Sequence, residues 1–267
     1  MSDRLTSTFS ALRDAGRTAF IPYVTAGDPD LETTGAILDA LAEAGADVIE
    51  LGMPFSDPMA DGPVIEAAMV RALANGTTLD GVLSMLAGFR ARHPSVPVVL
   101  FGYMNPLLRR GVEAACQALA DAGGDALLVV DLPPEEAAEL TRPAKARGLD
   151  FIGLFTPTSD DARVSRIAEE ASGFAYYVSM GGVTGDALKD LDPVAARVTE
   201  VRALTGLPVC VGFGVRTPDD AVRIARFADG VVVGTALVDL IAKAAPGEAA
   251  AAAGRFVRGF REALDAL

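Results

Sequence analysis

The chain reads as short β-branched and aliphatic runs separated by longer, Ala-rich stretches with apolar residues at helical spacing. Eight runs have strand length: residues 19–25, 48–51, 96–101, 126–130, 151–155, 174–178, 209–213 and 231–233. Between them the helical period predicts helices over 31–44, 79–92, 112–122, 135–146, 160–171, 194–205 and 218–227. A last helix is predicted from about residue 249 onward, with Phe256, Phe260 and Leu264 on one face. Three turns into strands repeat one punctuation: Ala44-Gly45-Ala46-Asp47, Ala122-Gly123-Gly124-Asp125 and Phe227-Ala228-Asp229-Gly230. Each sets Gly near a helix C-terminus, where left-handed backbone is wanted, directly before an apolar strand.

Strict alternation of strand and helix implies a parallel sheet with right-handed crossovers. Eight such units fit a closed (β/α)8 TIM barrel, a single α/β domain over residues 1–267. A doubly wound sheet usually has fewer strands and a Gly-rich first turn. Here the first turn reads Thr25-Ala26-Gly27-Asp28-Pro29, without the GxGxxG of a dinucleotide fold. An extra helix over residues 5–15 precedes the first strand and could close the barrel bottom. Two connections are long, residues 52–63 after the second strand and 179–193 after the sixth. Loops of this length are usually lids or binding loops, and both would lie on the C-terminal face, where barrels carry their chemistry.

Glycines recur after the last three strands, in Gly182-Val183-Thr184-Gly185, Gly212-Phe213-Gly214-Val215 and Gly234-Thr235. Glycine lets backbone N–H groups approach an anion, and a helix N-terminus adds partial positive charge. The stretch from Gly234 to Val238 suits a short extra helix after the eighth strand, where many barrels hold a phosphate. One such turn alone would be only a tight connection; three on adjacent strands favour a phosphate site.

Charge narrows the partners. Lys and Arg number 23 against 36 Asp and Glu, for a net charge of −13. Nucleic-acid binding needs clustered cations, and membrane-surface binding is disfavoured for the same reason. An anion can still be held by backbone dipoles. No apolar run approaches the ~20 residues of a membrane-spanning helix. The first residues carry no hydrophobic secretory segment, so a cytoplasmic location is expected. Cys116 and Cys210 sit far apart in apolar contexts and read as buried thiols.

One residue breaks the aliphatic pattern. Glu50 lies within Val48-Ile49-Glu50-Leu51, where burying a charge is costly unless it is paired or its pKa rises. A structural ion pair would explain it, but its place at the C-terminal end of the strand favours an acid or base. Asp61, on the Pro- and Gly-rich loop that follows, could close over a ligand. Asp131 ends the fourth strand and Tyr103 the third; either could position a ligand or a loop. With one histidine, His93, and two separated cysteines, a transition-metal site or Ser-His-Asp triad has almost no material, and no metal is expected. The three lysines, Lys145, Lys189 and Lys243, read as helix or loop residues, which disfavours Schiff-base chemistry. Carbon–carbon chemistry here would need carboxylates and an electron sink supplied by the substrate.

The run from Ile49 through Gly62, Ile-Glu-Leu-Gly-Met-Pro-Phe-Ser-Asp-Pro-Met-Ala-Asp-Gly, resembles the signature of tryptophan synthase α subunits. The likeness extends to Pro22-Tyr23-Val24-Thr25-Ala26-Gly27-Asp28-Pro29 and to the three glycine turns, and so covers essentially the whole chain. It implies retro-aldol cleavage of indole-3-glycerol phosphate to indole and glyceraldehyde 3-phosphate. By the resemblance, Glu50 is the general acid/base and Asp61 accepts a hydrogen bond from the indole N–H. Tyr23, Phe101, Tyr103, Leu128, Leu154, Tyr176, Thr184 and Phe213 would line the substrate pocket, and Gly185, Gly214, Gly234 and Thr235 would hold the phosphate. The resemblance also implies a pyridoxal-phosphate β subunit in an αββα heterotetramer, with no cofactor in this chain and Pro54, Asp57 and an Asn105-Pro106 turn facing that partner. Met180-Gly181 stands where relatives often carry Arg, while Thr235 keeps a hydroxyl where they often have Ser. A sugar-phosphate isomerase or epimerase would need a metal cluster or a second acid/base pair, for which only Asp131 is available. A barrel that only binds and activates a partner would have no need of the carboxyl pair.

Overall fold

The computed structural model describes residues 2–178, 191–212 and 214–267. Its strands are β1 (Ala19–Thr25), β2 (Ile49–Gly52), β3 (Val98–Gly102), β4 (Ala126–Val129), β5 (Asp150–Phe151), β6 (Gly153–Phe155), β7 (Ala175–Val178), β8 (Val209–Gly212) and β9 (Gly230–Val233). They form one parallel sheet in the order β5-β4-β3-β2-β1-β9-β8-β7-β6. The two ends of that order, β5 and β6, are halves of the strand expected over 151–155. Ile152 lies between them and donates its N–H to the Leu127 carbonyl at 2.8 Å. Nine segments therefore occupy the eight positions of a (β/α)8 barrel, closed through Ile152.

The two-residue alternation of each strand sorts side chains into two layers. Phe20, Ile49, Leu51, Val98, Leu127, Val209 and Val231 point outward into the large core shared with the helices. Ile21, Val48, Val99, Leu128, Phe174, Cys210 and Val232 fill the barrel interior. The helix expected over 5–15 spans Asp3–Asp14 and plugs the bottom: Leu5, Phe9 and Leu12 belong to that interior cluster. Phe9 meets Phe174 with ring centroids 5.6 Å apart. The plug is tied down by Asp125, which accepts from Ser2 Oγ at 2.6 Å and Arg4 Nε at 2.7 Å.

Two helices were not anticipated. Pro63–Ala74 follows the long loop after β2, with Pro63 in its first turn, where the missing N–H costs nothing. Its inward face, Ala68, Met69 and Ala72, lacks the large aliphatic stripe by which a helix is recognised. Met104–Arg110 occupies the stretch read as an Asn105-Pro106 turn; Pro106 is accommodated in the first helical turn. The short helix expected after the last strand is present as Thr235–Lys243, and the C-terminal helix as Ala249–Asp265.

Candidate active site

Ile49 and Leu51 face the helices, so the carboxyl of Glu50 faces the interior, in register with Tyr23 on β1 and Val99 on β3. Glu50 is 1% exposed and its Oε1 has no hydrogen-bond partner among the described residues. Loss of hydration alone pushes this carboxyl up to about 8. At neutral pH it holds its proton and is ready to give it.

Two tyrosines bracket Glu50. The phenols of Tyr23 and Tyr176 are buried and pushed upward by desolvation, with the Glu50 and Asp61 charges adding to both. Their hydroxyls fit only because Gly52 and Gly212 stand opposite: a Cβ at Gly52 would run into the Tyr23 hydroxyl, and one at Gly212 into that of Tyr176. Tyr23 also meets Phe101 edge-on, centroids 5.2 Å apart at 76°. Phe101, Leu128, Leu154 and Tyr176 all point into the same interior, with Phe101 and Leu154 only partly covered. The mouth thus presents a flat apolar slot with one acidic floor group.

Asp61 arrives from the loop. Tyr103 Oη donates to Asp61 Oδ2 at 2.6 Å and accepts from the Ala60 N–H at 3.0 Å. Burial raises the Asp61 carboxyl and this hydrogen bond pulls it partway back. Phe55 packs on the Tyr103 ring, centroids 5.1 Å apart. Of the two roles open to Tyr103, the contacts present are those of a loop anchor. Asp131 accepts from the Met104 N–H at 2.8 Å, holding the start of the helix Met104–Arg110.

Across the mouth, Gly234 caps the helix Thr235–Lys243, whose first N–H groups have no partner within the helix. Gly214 takes φ of 80°, in the left-handed region, on the loop after the neighbouring β8. Thr184, Gly185, Phe213, Lys189 and Met180 lie outside the described residues, so one of the four expected phosphate-holding residues, Gly185, is not described. A cavity of about 560 Å³ opens where β4 and β6 do not pair; it reaches Leu154 but not Glu50 or Asp61. Lys145 and Lys243 end helices. Both cysteines are free and buried, and His93 stacks on Phe89 and lies 3.0 Å from Asp39. Among the described residues no His, Cys, Asp and Glu group could hold a metal ion.

Sequence reasoning missed Thr25, whose buried hydroxyl lies 3.4 Å from that of Tyr23, and the packing of Val64 and Ile65 beside Tyr23 and Phe101. The first gave no signal in a strand of β-formers, and the second lies on the helix that was not anticipated.

A parallel barrel with a sealed carboxyl and a second acid at its C-terminal mouth defines a barrel enzyme equipped for acid–base chemistry. The chain belongs to the tryptophan synthase alpha chain family, whose model matches residues 9–264. It is 53% identical over 241 residues to the tryptophan synthase alpha chain of Phenylobacterium zucineum, covering 90% of this chain and 87% of that one. The alpha chain of Thioalkalivibrio sulfidiphilus is likewise 53% identical, over 90% of each chain. The crystal structure of tryptophan synthase subunit alpha from Legionella pneumophila str. Paris superposes with a TM-score of 0.93 at 40% identity, covering 100% of both chains. A tryptophan synthase chain from M. tuberculosis, in an aminoacrylate-bound form, gives 0.88 at 33% identity over 98% of this chain and 99% of that one.

Proposed function

We propose that this chain cleaves indole-3-glycerol phosphate to indole and glyceraldehyde 3-phosphate, with Glu50 and Asp61 in the chemical roles. Glu50 gives its proton to indole C3, which turns the ring into an iminium-like electron sink. The hydroxyl on the adjoining side-chain carbon then loses its proton to the same carboxylate. The bond from indole C3 to that carbon breaks, its electron pair returns to the ring, and the hydroxyl carbon leaves as the aldehyde. No electron acceptor beyond the substrate is consumed, and the proton removed balances the proton given. Asp61, as the anion, accepts from the indole N–H and stabilises the positive charge that develops there. Tyr23, Phe101, Tyr103, Leu128, Leu154, Tyr176, Thr184 and Phe213 are the substrate-binding residues of this reading. Gly185, Gly214, Gly234 and Thr235 hold the phosphate.

The observation that supports this reading is the buried carboxyl of Glu50 at the barrel mouth, whose Oε1 has no hydrogen-bond partner among the described residues. Glu50→Gln is expected to lower indole release by about 10²–10⁴-fold. Affinity for inorganic phosphate should be unchanged; near-normal turnover would remove Glu50 from the role.

A β subunit carrying pyridoxal phosphate receives the indole, in an αββα assembly in the cytoplasm. The loop after β2, with Pro54, Asp57 and Met59, and the helix Met104–Arg110, with Leu108, form the docking face. Met59 is 83% exposed and Leu108 53%, apolar area that a partner would cover. Among the described residues no helix is long and apolar enough to cross a membrane.

A further inference from the structure

Asp28 and Arg71 form a two-pronged ion pair to which the chemistry above assigns nothing. Asp28, in the loop after β1, is 3% exposed. Arg71 donates to it through Nε and through Nη2, each at 2.8 Å and each to a different carboxyl oxygen. Arg71 lies toward the end of the helix Pro63–Ala74, which begins two residues after Asp61. The same end is tied again by Asn75 Nδ2, which donates to the Pro29 carbonyl. Gly27 presses on Thr77 so closely that a Cβ there would collide with its hydroxyl.

The helix needs such ties. Its buried face includes Ala68 and Ala72, short side chains that offer neighbouring elements few knobs to lock its rotation or its slide. A fork of two parallel N–H donors on one carboxylate fixes direction as well as distance, which a single ammonium does not. Toward its other end the helix lays Val64 and Ile65 beside Tyr23 and Phe101.

We propose that Arg71, held by Asp28, is a positioning residue for Asp61: it clamps the far end of the helix so that the near end delivers the carboxyl to its place over the mouth. This rests on the reading of Asp61 as the acceptor of the indole N–H. A displacement on the order of 1 Å at a reacting group can cost about 10²-fold in rate. Arg71→Lys keeps the charge and loses the fork; Arg71→Gln loses both.

The test measures indole release from indole-3-glycerol phosphate by both variants, and by Arg71→Gln in an Asp61→Asn background. Titration with inorganic phosphate runs alongside as a check on the rest of the site. The expected result is a fall in kcat of about ten-fold or more in both single variants. KM and phosphate affinity should stay within about two-fold, and Arg71→Gln should have little further effect once Asp61 is Asn. Unchanged kcat in the single variants, or the same fold-loss in both backgrounds, overturns the proposal. A risen KM with kcat intact overturns it too, since that pattern belongs to a merely structural pair. If Asp61→Asn alone turns over normally, the reading of Asp61 fails first and the positioning role falls with it, an outcome visible without any Arg71 variant.

Discussion

At the floor of the barrel Asp125 is 1% exposed, and at the mouth Glu50 is exposed to the same 1%. Asp125 is saturated: it accepts from Ser2 Oγ, Arg4 Nε, Arg90 Nη2 and the Val98 N–H, all between 2.6 and 2.8 Å. Among the described residues Glu50 faces no cation, and its Oε1 accepts from nothing. Equal burial thus serves two ends. With donors on every side a carboxyl staples elements together; without them it holds its proton and becomes a reagent. Asp150 guards against reading every unpartnered oxygen as chemistry. It also sits on the floor, accepts from the Ser2 N–H at 2.8 Å, and leaves Oδ1 without a partner. Position at the open, C-terminal end is what separates Glu50 from it.

The comparison breaks most directly at Glu50→Gln, where the loss falls on turnover. Asp125→Asn should do the reverse. It leaves Arg4 and the mostly buried Arg90 facing a neutral amide, at a cost of about 3 kcal/mol in folding stability by urea denaturation. Turnover per folded molecule should be preserved; a variant as stable as the parent would show that the floor network is dispensable.

A smaller effect separates the two in pH. An unfolded Glu titrates near 4.5, whereas folded Glu50 titrates near 8. Between those values the native protein keeps a proton that the unfolded chain has released, so this group makes stability fall as pH rises through the window. The contribution is on the order of 1 kcal/mol per pH unit, and Glu50→Gln should remove it. Urea midpoints of parent and variant followed from pH 5 to pH 8 should therefore diverge; parallel curves would contradict a neutral buried Glu50. Turnover that needs the protonated acid should decline above about pH 8.

The smallest effect is expected at Tyr103→Phe, which removes the hydrogen bond that lowers Asp61. The acidic limb of the turnover profile should move to higher pH, with a cost of roughly 1 kcal/mol in loop anchoring. An unmoved limb would detach Tyr103 from Asp61.

Much of this was legible in the chain. Glu50 stands out because a charge interrupts an aliphatic strand, and the eight apolar runs map onto the barrel positions, β1 with the same bounds as its run. The break at Ile152 was not legible, since residues 151–155 read as one continuous apolar run and only the pairing of β5 with β4 and of β6 with β7 divides them. The helix Pro63–Ala74 was hidden by its small inward residues and by the proline that opens it. The Tyr103–Asp61 and Arg71–Asp28 bonds join residues more than forty positions apart, and local periodicity carries no information at that range.

The missing stitch at Ile152 gives the cylinder a weakest line. The β4–β5 ladder has two residue pairs, as has β8–β9, but between β4 and β6 the upper rim lacks strand pairing, and Ile152 and the short β5 fasten the seam below it. Opening costs least where the fewest bonds must be broken. A first opening along that line would leave one open sheet, still joined through the β1–β9 pairing, so that Gly234 stays against Tyr23 beside Glu50 while β5 and β6 part.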